Sequence, residues 1–318
     1  MEVKTPIAED IRMTDQRSQY DDACKKLLSE KIILAWIMKS CLDEYRNCDV
    51  KEIAEKYIEG TPQVSQIAIA PGKTNATKIR GISNEDTIQG EGTNTYDIRF
   101  MALAPKSHEM IQLIINVEAQ GKFNPGYPIP KRAIFNCSRM ISAQYGTEFI
   151  HSEYQNIKKV YSIFVCMTPP KKRQNSITRY RMAEENLTGN VKEAVENYDL
   201  LCVVMVCLGG EDKENYDGVL KLLDVLLSPK AGEAKKRQVL QEEFDIPMTE
   251  TLEAEVHYMC NLSQGVMEMG IEKGKAEGFL ASIRNLMANT GWSLEKAMET
   301  LGVPETDRPK YTDLLQKQ

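Results

Sequence analysis

The chain has 318 residues, 42% of them hydrophobic, which suits one large domain or a domain with an appendage and supplies enough apolar side chains for a sizeable core. Its 46 acidic and 40 basic side chains give a net charge of −6, which excludes a polybasic binder: any nucleic acid must be held by a local basic patch and metal ions. The eight cysteines contain no C-x-x-C pair, which excludes the common zinc and dithiol motifs and reads as scattered, reduced, buried thiols.

Residues 1–20 carry no basic stretch followed by an apolar one, so no secretory signal is expected and the segment reads as a flexible lead. From Asp21 to Leu42 the apolar positions Leu27, Leu28, Ile32, Ile33, Trp36 and Ile37 recur at three- and four-residue steps, predicting one amphipathic helix. A shorter helix is predicted over Val50 to Tyr57. Thr61 to Thr95 is rich in Gly, Asn, Thr and acids and reads as loops around a short strand, Gln66 to Ala70. Glu85, Asp86 and Glu91 fall in that acidic loop, whose spacing does not fit a calcium loop.

Strands are predicted over Tyr96 to Leu103 and Met110 to Gln120, with a turn signal at Pro105 between them. A Pro/Gly-rich connection, KFNPGYPIPK, leads to a helix over about Arg132 to Tyr145. The β-like segments Val160 to Met167, Ser176 to Ala183 and Asp199 to Leu208 follow. This order predicts an α/β core over residues 21–210. Leu200 to Leu208, the longest strongly apolar run, is far short of the ~20 residues a membrane helix needs, so a cytoplasmic protein without a membrane stage is expected.

Residues 211–318 read as helix only: Tyr216 to Leu227, Ala231 to Phe244, Thr249 to Asn289 and two short terminal helices, the first capped by Ser293. Gly265, Gly270, Gly274 and Gly278 predict a kink or break in the long segment. These helices are expected to serve packing or homo-oligomer contacts.

The hairpin carries the chemistry. Alternation puts Asp97, Arg99 and Met101 on one face and, across from them, Gln112, Asn116, Glu118 and Gln120. A turn centred near Lys106 sets Asp97 across from about Asn116, with Glu118 diagonal to it at roughly 7–8 Å, close enough for the two carboxylates to share a divalent cation. Such an ion can stabilise charge on a phosphate and help generate hydroxide, and Gln120 is placed to hydrogen-bond the water or the phosphate. The same residues also suit a solvated hairpin face on which Arg99 pairs with Asp97 or Glu118, and spacing does not decide between the two.

The run NTYDIRFMALAP followed by LIINVEAQGKFNPGYPIPKRAIFNCSRMISAQ resembles the recombination-promoting nuclease, or transposase, branch of the PD-(D/E)XK superfamily. The match in segment order continues through YQNIKKVYSIFVCM to LMANTGWSLEKAMETLGVPE, nearly the whole chain. The resemblance implies a restriction-endonuclease-like mixed sheet flanked by helices with a helical C-terminal extension, and a Mg²⁺- or Mn²⁺-dependent DNA endonuclease linked to recombination or transposition.

By position Asp97 and Glu118 match the metal ligands, and Gln120 stands where the superfamily more often has Lys. Gln cannot supply positive charge, so the metal, Lys122 or Arg132 must. Tyr96 replaces the introductory Pro. The resemblance also implies Glu30 as a further acid and Arg132 as a phosphate clamp.

Lys171, Lys172, Arg173, Arg179 and Arg181 gather in PPKKRQNSITRYR as the expected DNA-backbone contacts, although a solvated loop suits them too. His108, His151 and His257 form no zinc motif, and GKAEG at Gly274 is no phosphate loop, so neither zinc nor a nucleotide cofactor is expected. Gln120 and the net negative charge also fit a second reading: a weak or inactive nuclease fold that serves as a DNA-binding or assembly module.

Overall fold

A computed structural model describes residues 6–60, 62–64, 85–88, 92–105, 110–210, 216–305 and 307–316. The chain divides into two compact units, Ser18–Cys260 and a second formed by Met1–Arg17 with Asn261–Gln318.

The larger unit is mixed α/β. Helix α1 (Pro6–Ser29) starts at a proline, whose fixed φ and missing N–H suit a first helical turn. Residues 6–20 are therefore helix, where a flexible lead was expected. A second helix, α2 (Lys31–Cys41), follows at once; the single helix expected from Asp21 to Leu42 is broken at Glu30, whose backbone is extended (φ −61°, ψ 125°). The turn α3 (Val50–Glu52) is capped by the Asp49 side chain and runs into a π-helical turn, Ile53–Tyr57, so helix forms where it was predicted.

Strand β1 (Gln63–Val64) is followed by the hairpin β2 (Glu85–Ile88) and β3 (Gly92–Thr95), which puts Glu85 and Asp86 in a strand rather than a loop. Glu91 and the expected strand Gln66 to Ala70 lie outside the described residues. Then come β4 (Ile98–Pro105), β5 (Met110–Lys122), α4 (Ile129–Ser142), β6 (Val160–Thr168), β7 (Ser176–Arg181) and β8 (Leu201–Cys207), within one or a few residues of the predicted bounds.

The main sheet has the order β1-β4-β5-β6-β8-β7, parallel for β5, β6 and β8 and antiparallel elsewhere. Side chains alternate across it. On one face Ile114, Val160, Phe164, Val203 and Met205 form a core with Ile129, Ala133, Cys137 and Met140 of α4. Those α4 positions recur at three- and four-residue steps, so one stripe of the helix seals that face. On the opposite face lie the buried side chains of α1 and α2, where Cys24 Sγ is 3.8 Å from Met167 Sδ.

Helices α5 (Gly218–Leu227) and α6 (Glu233–Gln238, continued by a π-helical turn to Glu243) belong to the same unit as the sheet, as does the start of α7 (Glu250–Thr290). The boundary therefore falls after Cys260, not near Gly210. Helix α7 runs unbroken past all four glycines at which a break was expected.

In the second unit, Ile283, Ala297, Met298, Val303 and Tyr311 form a separate core with α8 (Leu294–Thr300) and α9 (Arg308–Gln316). The Ser293 hydroxyl caps α8 as predicted, accepting from Lys296 N. All eight cysteines are free thiols, six of them buried. No helix among the described residues is long and apolar enough to cross a membrane.

Candidate functional site

Register decides where the hairpin's polar groups meet. Arg99 pairs with Asn116 and Ile98 with Val117, so the next step sets Asp97 opposite Glu118 itself. The pairing is shifted by two residues from the one a turn at Lys106 implies, and it brings the acids directly together instead of diagonally.

Asp97 sits at a bend just before β4, and its side chain takes over where the ladder stops. Its Oδ2 accepts from Ala119 N at 3.1 Å, while its own N–H donates to Glu118 Oε1 at 3.4 Å. Each residue is thus tied to its partner's strand. Tyr96, expected beside Ile98, is instead buried in the α4-side core, and the Arg99 guanidinium lies 4.9 Å over its ring.

The polar face is buried, not solvated: Arg99 is 4%, Asn116 0% and Glu118 2% exposed. These three side chains are therefore not a solvated face, on the side of the sheet where α4 packs against β6 and β8. Every carboxylate oxygen has a partner. Glu118 Oε1 accepts from Asn116 Nδ2 at 3.1 Å, and Glu118 Oε2 from Arg132 Nη2 at 3.0 Å. Asp97 Oδ1 lies 3.2 Å from Lys25 Nζ. Asn116 Nδ2 also reaches Ser162 Oγ at 3.3 Å, which ties the set to β6.

These contacts do not restore an ordinary carboxylate. Burial, followed by the nearby Asp97 charge, pushes the Glu118 pKa up to about 7, against the opposing pull of Arg132 and Asn116. Glu118 therefore keeps its proton to a higher pH than an ordinary carboxylate does.

Arg132, one turn into α4, stands as the sequence suggested. Its guanidinium spans Glu118 and the Tyr127 hydroxyl (3.1 Å) and lies 5.7 Å over the Phe164 ring. Gln120 is half-buried, two residues beyond Glu118 and in register with Cys166. Lys122 ends β5; its side chain lies outside the described residues. Glu30 does not join the cluster. Its carboxyl is raised by burial and then by Glu255 of α7, and it faces that acid instead.

Lys25 is the residue sequence reasoning missed. It is 8% exposed and lies among Ala23, Cys24, Leu27 and Leu28, all fully buried, on a stretch of α1 that reaches Asp97. Asp22, 3.9 Å from Lys25, comes with it. The basic loop is divided: Arg179 and Arg181 lie 2.8 and 3.7 Å from Asp43, on the α2 side of the sheet. Arg173 instead stacks on Phe123 at 4.9 Å, beside the start of α4, and Lys171 and Lys172 are exposed.

Among the described residues no set of three or more His, Cys, Asp or Glu side chains is arranged to hold a metal. The donor set here is two carboxylates. That number fits Mg²⁺, which is commonly held by one or two carboxylates with water and phosphate oxygens completing its shell. Lys25 and Arg132 are long side chains on helices, and each covers one outer oxygen that an ion would take over.

Comparison with protein-family models, with curated proteins and with solved structures gives no match to this chain.

Proposed function

We propose that this chain is a metal-dependent endodeoxyribonuclease with a PD-(D/E)XK-type, restriction-endonuclease-like core. The observation that carries the reading is the direct opposition of half-buried Asp97 and buried Glu118, tied together by the Asp97 N–H to Glu118 and the Ala119 N–H to Asp97 and flanked by Lys25 and Arg132. They lie toward the carboxyl ends of the parallel strands, where open α/β sheets bind ligands. A Mg²⁺ ion held by Asp97 and Glu118 would stabilise charge on the scissile phosphate and lower the pKa of a bound water.

The chain's own groups do the remaining work. Arg132, when it releases Glu118, presents a planar fork to a phosphate oxygen pair. Gln120 orients the water by hydrogen bonding. Lys25 supplies, from α1, the positive charge that Gln120 cannot carry. Exposed Lys171 and Lys172 contact the DNA backbone beyond the scissile position. A role in recombination or transposition rests on the family resemblance alone.

One observation favours a second reading, a non-catalytic DNA-binding or assembly module: all four carboxylate oxygens already have protein partners, so the cluster is complete without an ion. Plasmid nicking separates the two. Cleavage that needs Mg²⁺ or Mn²⁺, stops in EDTA and is lost in Asp97→Asn supports the nuclease; DNA binding with no metal-dependent cleavage at any protein concentration supports the module.

A further inference from the structure

Beside the carboxylates, the Pro/Gly-rich connection between β5 and α4 encloses an open cleft of about 510 Å³. Its walls include Phe123, Asn124, Tyr127, Pro128, Pro130 and Arg173. Gly126, at φ +104°, allows the turn that folds the connection back over this space. Phe123, Arg173 and Tyr127 are held in place by side-chain contacts. Phe123 is almost fully buried at the end of the α4-side core and carries the Arg173 guanidinium 4.9 Å above its ring. Tyr127, 45% exposed, is fixed at its hydroxyl by Arg132 Nη1, and the same guanidinium holds Glu118. The cleft wall at Tyr127 is therefore joined to Glu118 through one side chain, Arg132.

The chemistry of these walls is specific. A stacked guanidinium and an exposed phenol ring offer planar faces, two proline rings offer apolar ones, and the Asn124 amide offers both a donor and an acceptor. Flat faces with a few edge-on polar groups recognise a nucleobase, since every base has a π-face and a hydrogen-bonding edge. We infer that the cleft between Tyr127 and Arg173 seats the base of an unpaired or extruded DNA nucleotide adjoining the scissile phosphate. A base stacked inside an intact duplex cannot enter such a cleft, so the favoured substrate is single-stranded, bubbled or frayed DNA. This inference rests on the nuclease reading for the word scissile, but the base subsite itself does not depend on cleavage.

The test is therefore made without metal. In EDTA, fluorescence anisotropy compares a labelled single strand with the blunt duplex of the same sequence, for wild type, Tyr127→Ala, Tyr127→Phe and Arg173→Ala. Wild type is expected to favour the single strand by at least about ten-fold, in line with one or more stacked bases. Tyr127→Ala and Arg173→Ala bring that ratio towards one, while Tyr127→Phe, which keeps the ring, preserves it.

Should Tyr127→Ala not fold, photocrosslinking of the wild type to a single strand carrying 5-iodouracil gives the same answer, with the adduct expected at Tyr127. Equal affinity for both DNA forms, or crosslinks that avoid Tyr127, overturns the inference. Metal-dependent cleavage without single-strand preference leaves the nuclease and removes the subsite; preference without cleavage leaves the subsite and removes the nuclease.

Discussion

Two buried clusters of charge occupy opposite faces of the same sheet. Around Lys159 the groups satisfy one another: its Nζ lies 2.9 Å from Asp199 and 3.3 Å from Glu44, and the Tyr161 hydroxyl reaches both Glu44 oxygens at 2.8 Å. Burial opposes the Lys159 charge, yet the bonds and charges of Asp199 and Glu44 outweigh it, and its pKa is raised. Around Glu118 the balance is reversed, with burial and Asp97 outweighing Arg132. The first cluster holds its base firmly in the charged form, as scaffolding does. The second raises an acid's pKa by burial and a like charge, the kind of perturbation that marks candidate functional sites.

Stability should separate the clusters most sharply. Lys159→Met leaves buried Asp199 and half-buried Glu44 without their cation, which is expected to cost about 3 kcal/mol, the low end for a buried pair, in urea unfolding while metal-dependent cleavage by the folded fraction stays near wild type. Glu118→Gln should do the opposite. It removes a proposed metal ligand, and since even outer-shell partners of metal ligands are worth about 10–100-fold, cleavage should fall more than about 100-fold with little loss of stability. If Lys159→Met impairs cleavage as much as Glu118→Gln, the assignment of one cluster to scaffold and the other to function is wrong.

Why one half of the site was legible and the other was not follows from these positions. Asp97 and Glu118 stand out because strand alternation isolates polar residues on a face whose neighbours are apolar, and because E-x-Q closes the apolar run of β5. Lys25 does not stand out, since it is one of two adjacent lysines on an amphipathic helix: Lys25 turns inward to Asp97, whereas Lys26 stays exposed near the Tyr258 ring. Only the tertiary placement of α1 distinguishes them.

The hairpin register had the same origin, because a shift of two residues preserves every side-chain face and so leaves no trace in the hydrophobic pattern. The glycines of α7 misled for an energetic reason. Each costs only about 1 kcal/mol relative to Ala, and a helix anchored by buried Leu252, Val256 and Met259 at one end and Ile283 at the other tolerates several.

Lys25 offers an intermediate test. Lys25→Met keeps the aliphatic stem and removes the charge, so cleavage is expected to drop about ten-fold or more, while Lys25→Arg recovers part of it. Asp97 retains the Ala119 N–H, which limits the stability cost to about 1–3 kcal/mol. Cleavage unchanged in Lys25→Met would assign the missing charge to another group, with Arg132 next in line.

The pH dependence without metal is a smaller effect with a definite sign. The folded-state pKa of Glu118 is raised from 4.5 to about 7, so between those values the native state binds more protons than the unfolded chain. Its contribution is fully present below about pH 4.5 and is lost as pH rises through about 7. The difference between wild type and Glu118→Gln in urea unfolding in EDTA should therefore move in favour of the variant across that window. Mg²⁺ binds the deprotonated form, so adding it should stabilise wild type more at pH 8 than at pH 5.5, by an amount that grows with its concentration over Kd. A pH-independent difference would place Glu118 among ordinary carboxylates and return it to the company of Glu44.

The smallest expected effect separates the two halves of the basic loop. Lys171 and Lys172 are exposed, where a phosphate can approach both, and the double variant Lys171→Ala, Lys172→Ala should lower the slope of log affinity against log salt by about 2. Arg179 is already committed to Asp43, whose carboxyl it holds below the usual range, and it points to the sheet face opposite the carboxylate site. Arg179→Ala should therefore leave the salt slope within about 0.3 of wild type. A full unit lost on replacing Arg179 would mean that DNA wraps onto the Lys159 side of the sheet, and the division of labour between the two faces would have to be redrawn.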